Sequence, residues 1–251
     1  MFILNSEISN WYKNTSQKIR IMTELRTWEN IFCPNCWGNI YNYSNNKLVA
    51  DFYCNACIED YELKSWIIIG SKIVDWAYST MIERLNSNNN PNFFFLNYNN
   101  NYEIQNFMVI PKHYFTTELI EKRKPLSITA KRAWWIWCNI LLSWIPNSWK
   151  IFYIKNWENR KKGEVLSDWH KTIFLNDKSI KSKNRIIDIM QSIELLNNKI
   201  FTLSDIYKFK QRLYAKYPNN NNIEAKIRQQ LQFLRNKWYL EFLGNGSYKI
   251  V

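Results

Sequence analysis

The sequence predicts an α/β (α+β) chain in two parts: a sheet-and-helix domain stapled by four cysteines, then a three-helix unit ending in a β wing. Three observations carry this expectation. Two Cys-x-x-Cys pairs lie in the first quarter of the chain, at Cys33/Cys36 and Cys54/Cys57. Strand-like and helical stretches then alternate to about residue 155, the pattern of a mixed domain. Last, three helical segments run into a hairpin-like tail. The expected domains span 1–180 and 185–251, with the lysine-rich stretch 178–184 as linker. At 251 residues the chain can bury a full core without disulfides.

The elements follow in order. Residues 9–25 suit an opening helix. Residues 47–53 and 58–64 read as strands flanking the second cysteine pair. Over 72–85 the spacing of Ile73, Ala77, Met81 and Leu85 predicts a helix with one apolar face. After a polar loop at 86–92, residues 93–98 and 102–110 form a hairpin around 99–101. The stretch 133–149 is almost continuously apolar. Asn139 and Pro146 interrupt it, and it is short for a bilayer span of about 20 residues, so a buried or loop segment is expected. A strand follows at 150–155. Helices are expected at 185–197, 203–217 and 223–237, and a wing at 239–251 turning at Gly244-Asn-Gly246.

Net charge is +13, and residues 181–251 carry +8 of it, from 13 Lys/Arg against 5 Asp/Glu. A basic C-terminal quarter suits a phosphate backbone, because each neutralised phosphate releases counterions. No secretory signal or membrane span is read from the sequence, so a cytoplasmic chain is expected. Such a chain keeps its thiols reduced, and the paired Cys-x-x-Cys array with 17 residues between then predicts a structural four-thiolate zinc site. Cys138, His113 and His170 lack ligand-like neighbours and are expected to be packing or surface residues.

Asp51 precedes Cys54 by three residues, while Glu62 and Lys64 follow Cys57 by five and seven. Side chains alternate along a strand, so Glu62 and Lys64 share a face. If the two strands pair, the cysteine knuckle is their turn and Asp51 comes beside Glu62. Two carboxylates can hold Mg²⁺, which polarises a phosphate and lowers the pKa of water; a lysine can orient that water and stabilise developing charge. Alone, Asp-x10-Glu-x-Lys is a weak pattern. The zinc knuckle and the basic tail give it weight.

Glycine and tryptophan are out of balance. The chain has 5 Gly and 13 Trp, where average usage of about 7% predicts roughly 18 glycines. Several Trp stand where glycine would serve: Trp37 after a Cys-x-x-Cys pair, Trp149 and Trp157 in turns, Trp238 after a helix end. The expectation is that some of these codons are UGA triplets read as glycine in the source organism.

Several segments together resemble the DpnI-like methyl-directed restriction endonucleases. They are Cys33-Pro-Asn-Cys36, Val49-Ala-Asp-Phe-Tyr-Cys-Asn-x-Cys57, Glu62-Leu-Lys-Ser65, Asn90-Pro-Asn-Phe-Phe-Phe-Leu96, Arg123-Lys-Pro-Leu126, Cys138-Asn-Ile140 and Lys226-Ile-Arg-Gln-Gln-Leu-Gln232. The resemblance runs over nearly the whole chain in one order. It implies a PD-(D/E)xK nuclease core followed by a winged helix-turn-helix, cutting double-stranded DNA at GATC when the adenine is methylated. Asp51, Glu62 and Lys64 fall on the catalytic positions, with Asp51 and Glu62 for magnesium, and the four cysteines on the zinc ligands. Trp135 falls on a methyl-contacting aromatic. The departures are mostly Trp for Gly, at Trp76, Trp134 and Trp137.

In 223–237, Ile223, Ile227, Leu231 and Leu234 form a buried stripe, leaving Ala225, Arg228, Gln229 and Gln232 outward. Arg and Gln make bidentate contacts to guanine and adenine, so this is the expected reading helix. Gly246, Tyr248 and Lys249 on the wing are expected at phosphates. Two other functions stay open: a DNA-binding regulator with an inert core, and an endonuclease of different sequence or methylation preference. A monomer or weak oligomer is expected.

Overall fold

The structure, a computed structural model, describes residues 3–44, 50–68, 70–87, 90–131, 133–176 and 178–251, without the side chains of Trp76 and Ile180. It divides into two compact units, Met1–His170 and Lys171–Val251.

The first unit opens with helix α1 (Thr15–Asn30). The Asn14 side chain caps it by accepting from the backbone N–H of Ser16 and Gln17, which is why the helix starts later than expected. Strands β1 (Ile40–Asn42), β2 (Phe52–Cys54) and β3 (Asp60–Trp66) come next. Residues 47–49 of the expected first strand lie outside the described residues. The expected helix over 72–85 is instead strand β4 (Lys72–Ala77) followed by helix α2 (Tyr78–Leu85). Short apolar runs fit both periodicities, and β-branched Ile73-Val74 favours the strand. The hairpin forms as β5 (Asn92–Tyr98) and β6 (Ile104–Ile110). Beyond it lie β7 (Ile120–Lys122), β8 (Trp137–Leu141), β9 (Ile151–Lys155), β10 (Glu158–Asn159) and α3 (Lys162–His170).

Seven strands form one sheet in the order β1-β2-β3-β5-β6-β9-β10, and β4-β8-β7 form a smaller one. Only the β3–β5 pair is parallel within the described ladders. Every residue of β5 is buried, as a strand covered on both faces must be. Phe94 stacks on Tyr61 at 4.5 Å, joining β5 to β3. The apolar stretch after residue 133 supplies β8 and two 3-10 turns. Among the described residues, no helix is long and apolar enough to cross a membrane.

The second unit begins with helix α4 (Ile180–Leu195), capped by Ser179. The expected linker at 178–184 is therefore largely this helix's first turns. A strand absent from the sequence reading, β11 (Ile200–Thr202), leads into α5 (Leu203–Tyr207) through a reciprocal Thr202–Asp205 capping box. The helix expected over 203–217 breaks into α5 and α6 (Lys210–Lys216). Helix α7 (Ile223–Asn236) and strands β12 (Leu240–Gly244) and β13 (Ser247–Ile250) complete the unit. Its sheet runs β11-β13-β12. Ile223, Ile227, Leu231 and Leu234 are all buried, as the stripe predicts.

The candidate metal centre, the acidic cleft and the reading helix

The two cysteine pairs converge. All four Sγ atoms lie within 4.8 Å of one another, with Cys33–Cys57 and Cys36–Cys54 both at 3.4 Å. Four thiolates at about 2.3 Å from one zinc would stand roughly 3.8 Å apart, so the cluster fits that ion. Gly38 explains part of the closeness: a Cβ there would sit 3.3 Å from Cys36 Sγ and 3.4 Å from Cys54 Sγ. Burial pushes the Cys57 thiol up to about 11, while hydrogen bonds from the knuckle outweigh burial at Cys54 and hold its thiol below the usual range. Tyr61 meets Cys33 Sγ at 3.1 Å, and Trp169 Nε1 donates to Asn35 at 3.1 Å, tying the knuckle to the core and to α3. His170 reaches the Asn35 carbonyl at 3.1 Å, while His113 and Cys138 are buried, in keeping with packing roles.

The second knuckle is the turn between β2 and β3, which pair Phe52 with Tyr61 and Tyr53 with Asp60. Asp51 sits one residue before β2, its N–H donating to the Tyr61 carbonyl at 3.0 Å. Its carboxylate accepts from the Leu63 N–H at 2.7 Å, between Glu62 and Lys64 on the partner strand. Lys64 Nζ lies 2.6 Å from Glu62 Oε1, and Arg84 Nη1 donates to Glu62 Oε2 at 3.3 Å. Asp51, Glu62 and Lys64 line one cleft of ≈ 790 Å³, and Trp135 and Trp137 line it too. Burial, opposed by the Leu63 N–H and reinforced by Glu62, raises Asp51 to about 6. Burial pulls against the Lys64 ammonium, but Glu62 and Asp75 outweigh it and leave its pKa raised. A paired acid site beside a charged lysine can hold a hard divalent cation.

Two residues here escaped the sequence reading. Asp75 and Arg84 lie on β4 and α2, inside the stretch expected as one helix. The signal that could have found Asp75 is the alternation Lys72-Ile-Val-Asp75, which puts an acid on the face opposite Val74.

Ala225, Arg228, Gln229 and Gln232 are all exposed on α7. Arg228 Nη1 donates to the Tyr207 hydroxyl at 2.7 Å, and Lys226 Nζ to Gln229 Oε1 at 2.9 Å. The wing needs one correction. Tyr248 is not a surface residue: it is buried, its ring stacked on Phe201 at 5.7 Å and tilted against Phe242 at 5.2 Å. Inward alternation along β13 takes it, while Lys249 points outward and pairs with Glu241 at 3.1 Å.

The tryptophans divide. Trp37, Trp157 and Trp238 have left-handed backbone, at φ 68°, 67° and 60°. The side chain of Trp76 is outside the described residues. Trp134, Trp137 and Trp149 have no such backbone. Trp149 is fully buried and stacks on Tyr114 at 4.4 Å, so the turn itself does not require glycine there.

Fold and site define a mixed α/β protein with a four-cysteine cluster that could hold a zinc ion, an acidic lysine-bearing cleft and a C-terminal helix-turn-helix unit. Residues 1–178 match the model of the DpnI, or Dam-replacing, family. Residues 181–250 match the Dam-replacing helix-turn-helix domain. The chain belongs to the Dam-replacing family.

Proposed function

We propose that this protein is a Mg²⁺-dependent endonuclease that hydrolyses double-stranded DNA at GATC sites carrying methylated adenine, with a PD-(D/E)xK core. The observation that carries the proposal is the convergence of Asp51, Glu62 and Lys64 on one cleft through the knuckle-linked strands β2 and β3. Family membership and the helix-turn-helix domain support DNA as the substrate.

Asp51 and Glu62 would hold Mg²⁺, whose chemistry when bound is to polarise the scissile phosphate and acidify water. The chain's own residues do the rest. Leu63 N–H fixes the Asp51 carboxylate so that it faces the same cleft as Glu62. Arg84 holds the other Glu62 oxygen. Lys64, kept as an ammonium, orients the attacking water and offsets charge building on the phosphate oxygens. Trp135 supplies an apolar face for a methyl group in the major groove. Helix α7 presents Ala225, Arg228, Gln229 and Gln232 to base edges, with Lys249 at a phosphate.

The test is cleavage of two matched plasmids in Mg²⁺, one methylated at GATC adenines and one not. Cutting of the methylated plasmid alone, abolished by Asp51→Ala, is expected. DNA binding with no cutting of either plasmid would leave a DNA-binding regulator instead.

A further inference from the structure

Lys64 is held from two sides. Besides Glu62, its ammonium meets Asp75 Oδ1 at 2.5 Å. Asp75 lies on β4 of the small sheet and its side chain is 0% exposed; Lys64 lies on β3 of the large sheet. The contact therefore bridges the two sheets at the floor of the cleft. A second acid buried against a lysine that already has one is costly unless it does something the first cannot.

We propose that Asp75 is a positioning residue for Lys64, holding its ammonium in place when Glu62 turns to a metal ion. The proposal rests on the nuclease reading. A divalent cation competes with Lys64 for Glu62. With Asp75 present, the ammonium keeps an anchor 2.5 Å away and stays beside the water site. Without it, Lys64 would lose this anchor on the small sheet and be held less firmly beside the water site. The short β4 bulge between Asp75 and Ala77, where the register against β8 shifts, sets where this carboxylate stands.

The experiment has two arms. In single-turnover cleavage of methylated duplex, Asp75→Asn lowers the rate about 100-fold with unchanged KM for DNA, and Asp75→Glu restores part of it. In a nitrogen-15 spectrum of the lysine ammonium groups, the protected Lys64 signal, assigned by its loss in Lys64→Met, is expected in Mg²⁺ and disappears in Asp75→Asn. Asp75→Ser replaces the Asn variant if that one fails to fold. A wild-type rate, or an unchanged Lys64 signal in the variant, overturns the proposal. A wild-type protein that cuts nothing overturns the nuclease reading instead, and the spectrum alone then decides the role of Asp75.

An independent observation concerns the tryptophans. Three of the eight left-handed non-glycine residues described are Trp, in a chain with 13 Trp among 251 residues. Two of the three sit in motifs built on glycine. Trp238 is the residue after the α7 C-cap: its N–H bonds Arg235 O and the Tyr239 N–H bonds Leu234 O, both at 3.0 Å, a complete Schellman pair. Asn156-Trp157 joins β9 to β10 with φ 50° and 67°. The wing turn Asn245-Gly246 repeats this at φ 47° and 71°, and there the second residue is glycine. Trp37 closes the first knuckle, its N–H on Cys33 O at 2.9 Å, but Ile58 holds the same place in the second at φ 60°, its N–H on Cys54 O at 3.0 Å, so that position does not require glycine.

We infer that the natural chain carries glycine at 157 and 238, from UGA codons read as glycine. Peptide mass spectra of the protein from its source cells are expected to show glycine at both positions; tryptophan there overturns the inference. In the protein as written, Trp157→Gly should raise the melting midpoint by about 3 °C, and no rise would equally count against it.

Discussion

The Asp51 carboxylate accepts the Leu63 N–H at 2.7 Å across a strand pair whose turn is a cysteine knuckle. One acid is thereby locked to the backbone between Glu62 and Lys64. The cysteine cluster and the cleft are consequently one mechanical object. Stripping zinc with a strong chelator should abolish cleavage and lower the melting midpoint together, and zinc, not magnesium, should restore both. Cys54→Ser should reproduce the loss. Full cleavage by a zinc-free protein would separate the two sites.

Asp51 gives a signed pH dependence. Its carboxyl is raised to about 6 in the folded chain, chiefly by burial, from an unfolded value near 4. A raised carboxyl favours the folded state most below pH about 4, and that advantage disappears as pH rises through about 6. At pH 7.5 without added Mg²⁺, Asp51→Asn should therefore stabilise the protein, by about 1–3 kcal/mol. Mg²⁺ should stabilise the wild type and not the variant. Cleavage at low Mg²⁺ should climb between pH 5 and 7. A destabilised Asp51→Asn protein would contradict the burial argument.

On α7, Arg228→Ala should cost about 1–3 kcal/mol of binding to methylated GATC duplex and flatten sequence preference. Lys249→Ala should weaken all sequences alike and reduce the salt slope by about one. Fluorescence anisotropy over a salt series distinguishes them. Equal effects of both variants on all sequences would remove the reading role from α7.

In the second unit, Asp188 is buried and meets Lys216 Nζ and the Tyr217 hydroxyl, each at 2.5 Å. Removing it takes a carboxylate partner from a lysine partly out of water, so Asp188→Ala should cost about 3 kcal/mol. Chemical denaturation measures this; a change under about 0.5 kcal/mol would mean solvent replaces the carboxylate readily.

The sequence displayed its cysteine spacing, the β5–β6 hairpin and the α7 stripe, because each is a local pattern. The grouping of Asp51 with Glu62 and Lys64 was legible too, since the knuckle turn between β2 and β3 determines which residues face each other. Asp75 was not: its role depends on β4 pairing with β8, some 60 residues away in the chain, while its apolar neighbours also fit a helical period. Tyr248 failed for a similar reason. Which side of β13 faces inward depends on β11, a three-residue strand with no signal of its own.

The most direct test of the central claim is Mg²⁺-dependent cleavage of matched methylated and unmethylated plasmids. It should be run on the protein as written and on a version with glycine at Trp157 and Trp238, whose backbone is left-handed. Cutting of methylated DNA only is expected, stronger in the glycine version and lost with Asp51→Ala. If both versions bind DNA and neither cuts, the catalytic roles of Asp51, Glu62 and Lys64 are contradicted.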